Sequence, residues 1–342
     1  SMDPLSQAAV GAAASQSFSR KADLFRVGVV GALAGMAPDL DVLIRSSTDP
    51  LLQLEYHRQF THSLIFIPFG AALCAAAFWP FLRHQMRFTS IWLVALLGYA
   101  THGLLDACTT YGTLLLWPFS DARIAWNTIS VIDPIFTLPL LALVLTAGAT
   151  RSVVATRLAI GWVAFYLSLG LVQEHRATMA GELLAASRGH DGVQVSSKPS
   201  FGNLLLWKSV YEYKGQFWVD ALRVSRDVTV IEGDSVARLN LSEQFPWLDP
   251  TSQQALDVAR FRWFSNNYLA VDKQDPYLIV DMRYSQLPNE IDGLWGIRLD
   301  PSAAFDAHVE WVTRRSTNKA RVDQLLAMLE GDGVKPIPSN SR

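Results

Sequence analysis

Hydrophobic positions are distributed unevenly along this chain. Four long apolar runs lie before residue 175, at 63–82, 89–105, 131–149 and 153–172, with a shorter one at 24–37. Each long run has about the length a helix needs to cross a hydrocarbon core of roughly 30 Å. Beyond residue 175 the pattern changes to short extended stretches. Residues 204–213 and 216–224 flank Lys214-Gly215 as a hairpin, and 228–231, 277–284 and 294–299 read as further strands. Helices are expected at 251–264, after the start signal Asp249-Pro250-Thr251, and at 319–329. The predicted fold is mainly α: a polytopic helical transmembrane domain over 1–174, followed by a soluble α+β domain over 175–342.

Composition agrees with a membrane chain. Of 342 residues only 18% are charged, and the mean hydropathy is positive. A net charge of -2 argues against a nucleic-acid-binding surface. Cys74 lies inside one apolar run and Cys108 just beyond another, so no disulfide framework is expected. Ser1 before Met2 reads as a cleavage scar, and the start lacks the pattern of a signal peptide, which leaves targeting to the membrane segments. Trp79, Trp92, Trp117, Trp126 and Trp162 mostly fall near segment ends, as an aromatic belt would.

Counting crossings puts Arg83, Arg87, Arg151 and Arg157 on one side, joined by Arg20, Lys21 and Arg26 if the short first run also crosses. Arg45, Arg58 and Arg123 fall on the other side. The positive-inside rule assigns the first side to the cytoplasm. The loops at 39–61 and 106–130 then face outward with the C-terminal domain, toward the periplasm in a Gram-negative cell. The alternative for the first run is a re-entrant hairpin with residues 4–17.

On that outer side, charge returns in a pattern. Pro38-Asp39-Leu40-Asp41 follows the first apolar run, His57-Arg58-Gln59-Phe60-Thr61-His62-Ser63 opens the second, and His102-Gly103-Leu104-Leu105-Asp106 closes the third. Such groups are costly beside lipid unless they bind something or each other. Pro38 disfavours helix at Ala37, and from a non-helical segment the two aspartates can reach one cation. A five-residue spacing would separate the two imidazoles on a regular helix, so His57 is placed in the loop and His62 in the first helical turn, with Thr61 as N-cap. His102 and Asp106, at i and i+4, share a helical face in a last turn whose carbonyls favour a cation. The bland alternatives are a solvated acid pair for Asp39 and Asp41, and a simple hydrogen-bonded pair for His102 and Asp106. Arg58 could hold a phosphate through bidentate hydrogen bonds or snorkel to headgroups. Asp133, in Ile132-Asp133-Pro134, reads equally as a helix cap and as a ligand or its support. Asp3 and Gln7 would point the same way if residues 4–37 form a hairpin. His84, His175, His190 and His308 lack partners at ligand spacing. Three imidazoles and three carboxylates suit Zn, with Mn or Fe as alternatives, and six ligands leave room for two or more ions bridged by a carboxylate.

Read in order, these motifs, together with Thr109, Thr110, Tyr111-Gly112, Trp117-Pro118-Phe119-Ser120 and Ile132-Asp133-Pro134, resemble the bacterial inner-membrane metal-dependent hydrolase family, often described as LexA-regulated. The resemblance covers about residues 3–150. The H-x-x-x-D element is also similar to one in the zinc-dependent phospholipase C superfamily. The resemblance implies that Asp39, Asp41, His57, His62, His102 and Asp106 are metal ligands, with Arg58 and Asp133 close by. Asp3-Pro4-Leu5-Ser6-Gln7 is similar to the start of some members, which often carry a histidine that is absent here. Longer members have a tail around a Leu-Leu-Trp motif, here Leu205-Leu206-Trp207.

The expected activity is hydrolysis of an ester or phosphoester of a membrane lipid or lipid-linked substrate by metal-activated water, with Arg58 on the phosphate and Asp39 or Asp133 as general base. The C-terminal domain is expected to act as lid, selector or partner module. The rival readings are an ion- or proton-coupled transporter using intramembrane His and Asp, and a membrane-anchored binding protein with a structural metal. The apolar middles of 65–81 and 135–147 hold no charge, which counts against transport.

Overall fold

A computed structural model describes residues 2–314 and 318–337. Ser1, with its reading as a scar, lies outside them. Seven helices come first: α1 (Pro4–Ser17), α2 (Leu24–Met36), α3 (Leu52–Tyr56), α4 (Ile67–Leu82), α5 (Phe88–Cys108), α6 (Pro134–Thr150) and α7 (Val153–Ser187). The chain divides into two compact units. The first comprises Ser1–Ile44, Tyr56–Val172 and Phe201–Asn203; the second comprises Arg45–Glu55, Gln173–Ser200 and Leu204–Arg342. Helix α7 runs from the first into the second, 15 residues beyond the apolar run that marks it in the sequence.

Three helical stretches of the described residues are long and apolar enough to cross a membrane: Leu64–Leu82, Phe88–Cys108 and Val153–Ser187. The run at 131–149 folds as α6, at 17 residues shorter than these, because Asp133 caps the helix and Pro134 starts it. The short run at 24–37 becomes α2 and packs antiparallel on α1. With 14 and 13 residues, each of these helices is about 20 Å long, less than a bilayer core. They form the hairpin offered above as the alternative to a first crossing.

Small residues let this hairpin seat closely on α5. A methyl group added at Gly11 would lie 2.5 Å from the Gly31 carbonyl oxygen, and one at Gly98 would lie 2.4 Å from the same atom and 2.9 Å from Gly31 Cα. Close backbone approach of this kind is how helices associate in lipid, where burial alone offers little drive. Polar side chains on α1 add to this: Ser15 Oγ donates to the Val94 carbonyl of α5, and Gln16 Nε2 to the carbonyls of Leu24 in α2 and Val144 in α6. Val27, Val30, Ala34, Ala71, Ile91, Ala95 and Tyr99 form the apolar core between α2, α4 and α5.

Gly98→Ala should therefore destabilise the first unit by about 1–3 kcal/mol, because its methyl meets backbone rather than a movable side chain. Gly161→Ala on α7, where nothing lies within 4 Å, should be neutral or slightly stabilising. Thermal melts in detergent check this, and equal melting of the two variants would refute it.

The second unit is built on two antiparallel sheets. One holds β1 (Ser196–Pro199), β2 (Leu206–Tyr213), β3 (Gln216–Val224), β4 (Val228–Ala237) and β9 (Lys335–Pro336), adjacent in that order. The other holds β5 (Leu269–Val271), β6 (Leu278–Asp281), β7 (Trp295–Arg298) and β8 (Glu310–Thr313). Helices α8 (Leu241–Gln244), α9 (Gln253–Phe264) and α10 (Lys319–Glu330) complete it. The hairpin at Lys214-Gly215 forms as expected, with Tyr213 opposite Gln216. Helix α9 starts two residues later than its sequence signal, because Ser252 is the cap, accepting from the Ala255 amide, while Asp249 turns back on Thr251. Val210, Phe217, Val219, Ala270, Leu278 and Val280 are the core that joins the sheets.

Candidate metal centre

The centre is assembled where α2 and α5 end. Past Met36 the chain stays helical, with Ala37 at φ -60° and ψ -37°, and tightens into a 3-10 turn over Ala37–Leu43 that carries Asp39 and Asp41, which corrects the non-helical segment expected there. Pro38 is accommodated in the first turn, where no amide donor is needed. His62 ends another 3-10 turn, Phe60–His62, and the following helix does not begin until Ile67. The expected placement of His62 in a first helical turn capped by Thr61 is thus corrected. Ser63 is extended, and the Thr61 hydroxyl instead donates to Asp41 Oδ2 at 2.8 Å. His102 and Asp106 do share one face of α5, and both are fully buried.

Four ligand-type atoms converge there. His62 Nε2 and His102 Nε2 lie 2.9 Å apart; Asp39 Oδ1 is 3.6 and 3.4 Å from them, and Asp106 Oδ2 is 3.4 and 3.8 Å. A tetrahedral ion with bonds of about 2.0–2.1 Å places its ligands about 3.3 Å apart, close to these separations. Asp39 Oδ1 and Asp106 Oδ2 are also buried without a hydrogen-bond partner. Asp106 Oδ2 has the Arg58 guanidinium 3.0 Å away, whereas Asp39 Oδ1 faces the two imidazoles, and a buried carboxylate oxygen is costly without a cation, so the residues present fit a divalent metal.

Supporting contacts aim these atoms. His102 Nδ1 sits 2.6 Å from the Gly35 carbonyl, which sets the tautomer and leaves Nε2 free to bind. His62 Nδ1 lies 2.9 Å from the Thr61 hydroxyl. The other oxygen of Asp106 accepts from the Met2 amide and from Gln7 Nε2, both at 2.9 Å. Gln7 thus reaches the site from α1, which buries Ser6, Ser15 and Gln16 as well.

A second group overlaps the first. Asp39, Asp41 and His57 bring ligand atoms within 4.8 Å of one another, so Asp39 belongs to both sets. His57 Nδ1 is 2.6 Å from Asp41 Oδ1. Burial lowers the His57 pKa, against the opposing pull of Asp41. Burial also pushes the Asp41 carboxyl up, but hydrogen bonds with His57 and His62 outweigh it and hold the group below the usual carboxylate range. The Asp39 side chain is 20% exposed although its Oδ1 is buried, whereas the side chains of His62, His102 and Asp106 are closed off.

Arg58 does not snorkel. Its side chain is 2% exposed, with Nε 3.0 Å from Asp106 Oδ2, an ion pair in distance but without hydrogen-bond geometry. One terminal nitrogen donates to Thr109 Oγ1 at 3.2 Å, and the guanidinium lies over the Tyr111 ring. The other, Nη2, is buried with no hydrogen-bond partner.

Asp133 is not gathered with these residues. One oxygen caps α6 by accepting the Ile135 and Phe136 amides, and the other accepts from the Tyr166 hydroxyl at 2.7 Å. With both oxygens engaged it is a helix cap, and the structure gives it no place as a base. Asp3 likewise caps α1, accepting from the Ser6 amide. His308, expected to lack partners, lies 2.8 Å from Asp257 in the second unit, near Asp49. There Arg260 donates to both aspartates and to Glu55, an ion-pair network that already fills the cation position.

Together these features define an integral membrane protein with a buried histidine and aspartate cluster at the end of its helices. The chain belongs to the YdjM inner membrane protein family, whose model matches residues 2–177, more than half of its length. It is similar to the Bacillus subtilis (strain 168) protein described as uncharacterized protein YfhP, at 30% identity over 142 residues, which cover 41% of this chain and 43% of that one. It is also similar to inner membrane protein YbcI of Escherichia coli (strain K12), at 34% identity over 110 residues, 31% of this chain and 62% of that one. The chain therefore spans less than two thirds of the length of either relative. No solved structure matches it.

Proposed function

We propose that this inner-membrane protein is a metal-dependent hydrolase that cleaves a phosphoester of a lipid or lipid-linked substrate. The observation that carries the reading is the pair of ligand groups sharing Asp39, set beside a buried guanidinium with an unpartnered nitrogen. A divalent cation held there, Zn first on its mixed nitrogen and oxygen donors, would supply Lewis-acid activation of water and of phosphoryl oxygens. His62, His102, Asp39 and Asp106 would hold one ion, and Asp41 and His57, with Asp39 between, a second. Arg58 Nη2 would bind and orient the phosphate. Asp39, the partly exposed member of the set, would accept the proton of the attacking water through a carboxylate oxygen that does not hold an ion. Its exposure speaks against a closed structural site, in which protein fills every position.

The basic residues Arg20, Lys21, Arg26, Arg83, Arg87 and Arg151 support a cytoplasmic assignment for the end away from the centre, which would put the centre on the periplasmic face. Sealed right-side-out vesicles containing the full chain and a phospholipid substrate test both claims. Turnover should stop when a membrane-impermeant chelator is added outside and return with Zn. Absence of phosphoester turnover by metal-loaded protein would overturn the hydrolase, and turnover insensitive to external chelator would overturn the sidedness.

A further inference from the structure

An apolar cavity away from the centre lies in the first unit, between the N-terminal half of α2 and the C-terminal ends of α4 and α6. Its volume is about 810 Å³, and Phe25, Val29, Phe78 and Phe81 are among its walls. Phe25 and Phe81 are largely exposed, so the groove opens sideways, where a chain with membrane-crossing helices meets acyl chains. Two arginines, Arg26 and Arg151, line the same cavity.

Both arginines stand at one end of their helices, in the third residue of α2 and just past the last residue of α6. Arg26 is paired with Asp23 through one terminal nitrogen, at 3.1 Å. Arg151 is exposed and ends α6 with φ 55°, a left-handed position where glycine is the less strained residue. An arginine there places a positive charge at the mouth of an apolar trough, at the level where headgroups lie.

We propose that this groove binds one anionic phospholipid, with its phosphate on Arg26 and Arg151 and an acyl chain along Phe25, Val29 and Phe78. The positive charge at the mouth selects an anionic headgroup. The lipid is not the substrate of the centre. Thirteen residues separate Arg26 from Asp39, about 20 Å along a helix, so a phosphate held at the arginines lies out of reach of the aspartates.

The test uses the full chain in nanodiscs of phosphatidylcholine with a minority of phosphatidylglycerol, followed by native mass spectrometry of retained lipid. The wild type should retain phosphatidylglycerol several-fold above its bulk share. The double variant Arg26→Gln, Arg151→Gln should fall to the bulk share, and the double lysine variant should keep most of the enrichment. Val29→Trp, which fills the trough and spares both charges, should also lose it. Metal content should be unchanged in all of them, which separates this site from the hydrolase reading. Retention at bulk share by the wild type, or full enrichment in the glutamine variant, would overturn the proposal. Full enrichment in Val29→Trp would overturn the seating of the acyl chain.

Discussion

His102→Ala is expected to strip the protein of bound metal, to less than about a tenth of the wild-type content, and to abolish hydrolysis. The effect should exceed the 10–100-fold typical of losing a supporting residue, because this side chain would be a ligand itself. It would remove one vertex of the near-tetrahedral set and the Nδ1 contact that ties α5 to the Gly35 carbonyl of α2. Asp39 Oδ1 and Asp106 Oδ2 would still face each other across the gap, now with less to attract a cation. Gln7→Ala should be milder, losing one of the two donors to Asp106 Oδ1 and weakening metal affinity by about tenfold. Elemental analysis of the purified full chain decides the matter, with His190→Ala, outside the cluster, as control. Stoichiometric metal persisting in His102→Ala would sink the candidate centre.

The parts of the fold that local pattern determines were legible in the sequence. Apolar runs long enough to cross a bilayer became α4, α5 and α7, and the turn at Lys214-Gly215 set its hairpin. His102 and Asp106 could be placed on one face because a helix fixes the i and i+4 relation without help from elsewhere. The partners of the cluster were less accessible. Gln7 could be named only on condition that residues 4–37 form a hairpin, and its pairing with Asp106 depends on how α1 seats on α5. Gly35 acts through its backbone carbonyl, which no residue type announces. Asp133 could not be settled as cap or ligand until Tyr166 appeared beside it from α7. The short strands β1, β5 and β8 and the Asp49, Arg260 and His308 network escaped for the same reason: contacts distant in sequence create them. Even residues 45–55, bracketed in sequence by Asp41 and His57, pack with the second unit.

Arg58 should prove the most costly residue in the cluster to truncate. Its guanidinium is the nearest permanent positive charge to Asp106, and both are buried. Removing one member of a buried ion pair leaves the other uncompensated, so Arg58→Ala should destabilise the metal-free protein by about 3–5 kcal/mol. The backbone makes the prediction sharper. Arg58 has φ 64°, where any residue with a Cβ is strained, and its amide donates to Asp41 Oδ2 at 3.2 Å. Arg58→Gly also removes the guanidinium but relieves that strain, so it should be about 1 kcal/mol less harmful than alanine, the reverse of their usual order. Arg58→Lys should rank above both, because it keeps a charge near Asp106 while losing the planar fork. A bound cation would neutralise Asp106 in place of the missing guanidinium. Adding Zn should therefore raise the melting temperature of Arg58→Ala more than that of the wild type, a coupling that a purely packing role for Arg58 would not produce. Thermal melts of the four proteins with and without Zn measure both the order and the coupling. An equal Zn shift in Arg58→Ala and wild type would show that Arg58 and the metal do not share Asp106.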